Sequence, residues 1–175
     1  GGTHTYAKGD DQFPERSPGF IARGKGCRMW DVDGNEFIEY GMGLRAVTLG
    51  HAYAPVIEAA YKQMLLGNNF NRPSLLEYEC AQALQSLVPS AEMVKFAKDG
   101  SSILTAGLKL ARAYTGRDLV AICSDSPFFS YNDWFIGTTP MAGGIPDDEK
   151  KIAVGFGYND IASLEARFAE HPGRI

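Results

Sequence analysis

Gly100-Ser101-Ser102 places two hydroxyls behind a glycine, between a short apolar run (Val94 to Ala97) and a stretch with helical periodicity. Glycine lets a ligand approach the backbone closely, and serine hydroxyls donate to phosphate oxygens. At a helix amino terminus, unpaired N–H groups and the positive end of the helix dipole add to the attraction for an anion. The same residues suit a second role, because serine is a frequent helix cap and Ser101 stands where a cap would. Taken alone, they leave phosphate binding and simple capping both open.

Rival chemistries find less support. Gly19 to Gly26 nearly matches a phosphate-cradling loop, but Gly26 stands where a magnesium-binding hydroxyl is needed and a hairpin strand follows instead of a helix. The glycines at Gly155 and Gly157 lack the third glycine of a dinucleotide fingerprint. Neither G-x-S-x-G nor H-E-x-x-H occurs, and His4, His51 and His171 are scattered. Cys27, Cys80 and Cys123 are odd in number with no C-x-x-C pair, so neither a zinc site nor a disulfide framework is expected. No metal is expected.

The elements that must position these residues alternate along the chain. Val94 to Ala97 and Leu119 to Cys123 read as strands, the second apolar throughout, as one covered on both faces would be. Between them Ile103, Ala106, Leu110 and Tyr114 recur at helical spacing, and Gly116 can end that helix in a left-handed conformation. A strand-helix-strand crossover of this kind builds a parallel sheet and sets Gly100 to Ser102 at a strand's carboxyl end. Upstream, Asp33-Gly34 between β-prone runs predicts a hairpin. Pro55 and Gly67 bracket one helix. Ser74 and Glu77 open another at capping-box spacing, with Leu76, Cys80, Leu84 and Leu87 as a stripe that gives Cys80 a core role.

With 175 residues, 45% apolar and 22% charged, the chain has the make-up of a soluble globular protein, either one domain or part of a larger one. A net charge of −4 gives no reason to expect nucleic acid or an anionic membrane as partner. No apolar run approaches a membrane span, no signal peptide opens the chain, and the cysteine pattern fits a reducing cytoplasm.

Several segments together, GGTHTYAKG, WDVDGNEFIEY, LGHAYAPVIEA, GNNFNRPSLLE, VPSAEMVKF, LARAYTGRD and YNDIASLEARFAEHPGRI, resemble in order and spacing the amino-terminal part of the class III aminotransferases. This is a fold-type I family using pyridoxal 5'-phosphate, and the resemblance is greatest to its glutamate-1-semialdehyde 2,1-aminomutase branch. It implies an α/β fold, the amino-terminal portion of the large domain with a parallel-rich sheet flanked by helices and a β-hairpin arm. Residues 1–50 would form the arm and hairpin, and residues 51–175 the first part of the cofactor-binding domain.

The resemblance implies that Gly100, Ser101 and Ser102 bind the cofactor phosphate, where the family usually reads Asn-Ser-Gly-Thr-Glu-Ala. Lys98, Asp99, Ser102 and Ile103 depart from that pattern. Asp99 would oppose a dianion unless its side chain points away, and Lys98 would offset it. Phe128 aligns with the aromatic that stacks on the cofactor ring, with Phe129 in place of a histidine and Ser130 of a glycine. Thr5 and Lys8 fall where the aminomutase binds the substrate carboxylate, Arg45 follows a Leu44 that replaces a tryptophan, and Asn71 lies in a segment that reaches the active site across a homodimer interface. Lysine supplies charge there without a bidentate fork. The Schiff-base lysine and the aspartate that pairs with the ring nitrogen are expected beyond Ile175, in a missing carboxyl-terminal part of the same enzyme. The implied activity is amino-group transfer on a small amino or keto substrate. The other reading is a non-catalytic phosphate-binding or assembly module ending at residue 175.

Overall fold

Asp33-Gly34 closes a hairpin, as its residues require. The computed structural model describes Thr3, residues 5–125 and residues 130–175. They group into two units, 1–74 and 75–175. The first carries an antiparallel meander of β1 (Ile21–Lys25), β2 (Arg28–Asp31) and β3 (Glu36–Ile38). In the predicted hairpin Arg28 pairs with Ile38, Met29 with Phe37 and Trp30 with Glu36. Gly19 to Gly26 leads into and along β1, so no helix amino terminus stands behind it.

Asp31 holds the turn. Its buried carboxylate accepts the amides of Asp33 at 3.0 Å and Asn35 at 2.8 Å, and the Asn35 side-chain N–H at 2.9 Å. Gly34 supplies the positive φ, 87°, that the turn needs. The Asn35 side chain, followed by the Asn35 and Asp33 amides, holds the Asp31 carboxyl below its ordinary value. Asp31→Ala is therefore expected to speed hydrogen exchange at the Asp33 and Asn35 amides and to lower thermal stability. Acid should act likewise. The Asp31 contribution is present above the unfolded carboxyl value of about 3.9 and is lost as pH falls through the lower folded value. Unchanged exchange at both amides in the alanine variant would show that the turn does not depend on Asp31.

The helix α1 (Ala54–Leu66) starts with Pro55 in its first turn and stops at Gly67, φ 96°, as predicted. In the second unit α2 (Leu75–Leu87) begins directly after Ser74, with Glu77 in its first turn. Cys80, expected in a core, is exposed, as are Leu76, Leu84 and Leu87 of the same stripe. Among the described residues nothing packs on that face closely enough to bury it.

α3 (Gly100–Thr115) is followed by β4 (Val120–Cys123), α4 (Asp133–Ile136), α5 (Asp147–Lys150), β5 (Ala153–Phe156) and α6 (Ile161–Glu170). β4 and β5 run parallel, with Val120 opposite Ala153 and Cys123 opposite Phe156, so a parallel sheet is present, with a partner strand that was not predicted. The strand expected at Val94 to Ala97 is not present. β4 pairs only with β5 among the described residues, so this run has no ladder to join, and a strand without a partner leaves its backbone groups unpaired.

α3 ends as read from Gly116, which has φ 69° and donates its amide to the Arg112 carbonyl at 2.8 Å. Its packed face differs from the one predicted. Of the predicted stripe Ile103 is half-buried but Ala106, Leu110 and Tyr114 are exposed, whereas Ser101, Thr105, Leu108 and Arg112 turn inward. Leu119, Ile122 and Phe135 are the buried apolar residues of the described chain, so β4 is covered less fully than its composition suggests. No helix among the described residues is long and apolar enough to cross a membrane.

Candidate functional site

The first turn of α3 gathers the candidate anion ligands, because Gly100, Ser101 and Ser102 are its first three residues. The helix is capped by Asp99 and not by Ser101. The Asp99 carboxylate accepts the Ser102 amide at 2.8 Å and the Ser102 hydroxyl at 2.9 Å, and these two bonds, the amide first, hold its carboxyl below the ordinary value. Aspartate is a preferred cap residue, so Asp99 ahead of the helical run was a signal the sequence carried. Asp99 thus points at the helix terminus, not away from it, and no ion pair joins it to Lys98.

This cap removes Ser102 from the available donors. The amides of Gly100 and Ser101 stay in the first turn, where the helix offers them no carbonyl, and that of Ser101 also lies against the Asp99 carboxylate. A Cβ built on Gly100 meets nothing within 4 Å, so the backbone there is open to a ligand. Ser101 is 6% exposed, and its hydroxyl oxygen accepts the Tyr131 amide at 3.1 Å while keeping its own proton to donate. Open backbone, two amides and one hydroxyl fit a phosphate group. The neighbouring Asp99 carboxylate weakens that fit without blocking it.

A second set of residues lies against this turn, of which the sequence pointed only to Ser130. Asn132 donates its side-chain N–H to the Ser101 carbonyl at 3.2 Å and to Thr105 Oγ1 at 2.8 Å, and Trp134 Nε1 donates to the same Thr105 oxygen at 2.8 Å. Ser130 is fully buried and its hydroxyl accepts the Asn132 amide at 3.1 Å. Phe128 and Phe129, expected to stack on the cofactor ring, lie outside the described residues.

In the first unit Thr5 and Lys8 share one 3₁₀ turn, with the Lys8 amide donating to the Thr5 carbonyl at 3.2 Å. Asn71 is on an exposed bend, away in sequence from both. Arg45 ends a run of left-handed backbone, with φ of 43° at Met42, 58° at Gly43, 58° at Leu44 and 72° at Arg45. Three non-glycine residues in that region carry strain, a feature that concentrates at ligand sites. Glu39 pins the run. Its carboxylate accepts the Gly43 amide at 2.7 Å and pairs with His51 Nε2, and His51, then Gly43, hold it below its ordinary value. No short-range signal pairs Glu39 with His51, twelve residues on. Among the described residues no cluster of His, Cys, Asp or Glu is arranged to hold a metal ion.

Comparison with known proteins adds to this geometry. The profile of the family described as aminotransferase class-III matches residues 6–170. The glutamate-1-semialdehyde 2,1-aminomutase of Sulfurihydrogenibium azorense is 34% identical over 163 residues, covering 88% of this chain and 38% of its own length. That of Persephonella marina is 33% identical over 163 residues, again with 88% and 38% covered. The chain spans less than two fifths of these relatives. Among solved structures, the PLP internal aldimine form of the FumI protein of Sphingopyxis sp. MTA144 superposes with a TM-score of 0.88 at 30% identity, over 96% of this chain and 40% of that one. An omega-transaminase from Sphaerobacter thermophilus gives 0.85 at 28% identity, over 93% and 40%.

Proposed function

We propose that this chain, which belongs to the class-III aminotransferase family, supplies the phosphate cup and part of the substrate pocket of a pyridoxal-phosphate enzyme that transfers amino groups. One observation carries the reading: the first turn of a 16-residue helix is open over Gly100 and offers the buried Ser101 hydroxyl beside it. The fold-type I transaminase architecture, with PLP bound in one of its solved members, supports the choice of cofactor. When bound, pyridoxal phosphate supplies the electron sink for proton loss at the amine-bearing carbon.

The residues of this chain hold and orient. The Gly100 and Ser101 amides and the Ser101 hydroxyl take the phosphate. By the family resemblance the stacking aromatic is assigned to Phe128, with Phe129 as the alternative. Arg45, presented by its strained turn, is proposed to take a substrate anion, with Thr5, Lys8 and Asn71 as the other substrate-binding residues of the first unit. The names of the curated relatives favour an aminomutase-like reaction of a small amino or keto compound. The reading also includes a cytoplasmic homodimer whose covalent lysine comes from outside these 175 residues.

Titrating the full-length protein with pyridoxal phosphate is expected to give saturable binding, followed by a spectral change on adding an amino donor. Binding without any donor-dependent change would favour the phosphate-binding or assembly module. Absence of saturable binding would overturn both.

A further inference from the structure

We propose that Asn132 and Thr105 are positioning residues that strap the segment Ser130 to Asn132 onto the first turn of α3, and so fix the Ser101 hydroxyl as a donor. This rests on the phosphate-cup reading and adds the means by which the cup is set. A serine hydroxyl has one proton to give and two lone pairs to receive. In a helix interior that proton usually goes back to the carbonyl four residues earlier. Ser101 lies in the first turn, so no helical carbonyl stands there. The Tyr131 amide occupies an acceptor position on the Ser101 oxygen at 3.1 Å, which leaves the proton for a ligand.

The strap that delivers the Tyr131 amide is held by side chains and not by a strand ladder. Asn132 meets the Ser101 carbonyl at 3.2 Å, and a carbonyl can only accept, so the amide nitrogen must face it. The same nitrogen reaches Thr105 Oγ1 at 2.8 Å, one helical turn further along the same face. Trp134 Nε1 donates to that same oxygen at 2.8 Å, so both donors depend on a hydroxyl at position 105. Ser130 at 0% and Ser101 at 6% exposure bury the two ends of the strap, while the bonds to Thr105 are half-buried. The Asn132 carbonyl also accepts the Phe135 and Ile136 amides at 2.9 and 3.0 Å, so one residue anchors α4 and ties it to the cup.

The test compares pyridoxal phosphate with pyridoxal, which lacks the phosphate, in equilibrium titrations of the full-length protein. Asn132→Ala and Thr105→Val should each weaken pyridoxal phosphate about tenfold or more, the loss expected for one charge-assisted bond. Both should leave pyridoxal within about twofold, and Thr105→Ser should restore the wild-type preference. A phosphate preference that survives both substitutions would overturn the strap. So would equal loss for the two ligands, which would mark a purely structural role. A wild-type protein that binds pyridoxal as tightly as pyridoxal phosphate would instead overturn the cup itself.

Discussion

Given pyridoxal phosphate and a panel of amines, the 175-residue chain alone should form no borohydride-reducible adduct at a defined lysine and transfer no amino group. By the family resemblance none of its lysines corresponds to the covalent one, and the geometry of the second unit agrees. Lys109 is exposed on α3, nine residues past Gly100, which at about 1.5 Å per residue puts it roughly 13 Å along the axis from the cup. Lys150 and Lys151 are paired with Asp147 at 3.0 Å and Asp148 at 2.8 Å. Lys98 adjoins the cup in sequence, where it offers charge to a phosphate. Holding the phosphate without the covalent partner forgoes the positioning on which the chemistry depends. Stoichiometric labelling of Lys98 or Lys109 with measurable turnover would place the chemistry inside these residues.

The same chain should also melt without a sharp transition and bind a hydrophobic dye. α1 and α2 bury none of their residues, and Val56, Ile57, Tyr61, Leu65, Leu75 and Leu87 are exposed. The buried apolar set of Leu119, Ile122 and Phe135 is small for a chain whose apolar fraction is 45%. A cooperative transition with no dye binding would contradict this.

Gly100→Val and Ser101→Ala in the full-length protein should weaken pyridoxal phosphate by about 1.5–3 kcal/mol together, the range for a bond to a charged group. That corresponds to roughly tenfold to 150-fold in dissociation constant. The two substitutions separate ligand approach from folding. A Cβ at Gly100 meets no protein atom within 4 Å, so a side chain there should leave stability nearly unchanged and obstruct only what approaches from outside. Ser101→Ala also removes the acceptor of the Tyr131 amide and should cost stability as well. Asp99→Ser should move cofactor affinity in the opposite direction, because it keeps a capping oxygen and removes the carboxylate that faces the phosphate. Unchanged affinity in Gly100→Val would sink the cup, and weaker binding in Asp99→Ser would show that the carboxylate organises the site.

The sequence by itself determined the features that depend on near neighbours. Asp33-Gly34 specified a hairpin, Pro55 and Gly67 the ends of α1, and Gly116 the end of α3, because each acts through its own backbone angles or through hydrogen bonds a few residues away. The ordered segments that carried the family resemblance were legible for the same reason, as residue strings whose order needs no folding to be seen. Only the tertiary structure decided which face of α3 is covered. Ala106, Leu110 and Tyr114 of the apolar stripe are exposed, yet Ser101 and Thr105 face inward, because Tyr131, Asn132 and Trp134 bring hydrogen-bond donors to them. The loss of the strand at Val94 to Ala97 has a like cause, since a strand exists only where another chain segment accepts its backbone bonds. The strap on the cup joins residues 27 to 31 positions apart. No local propensity encodes such pairings, because they join segments that only the fold brings together.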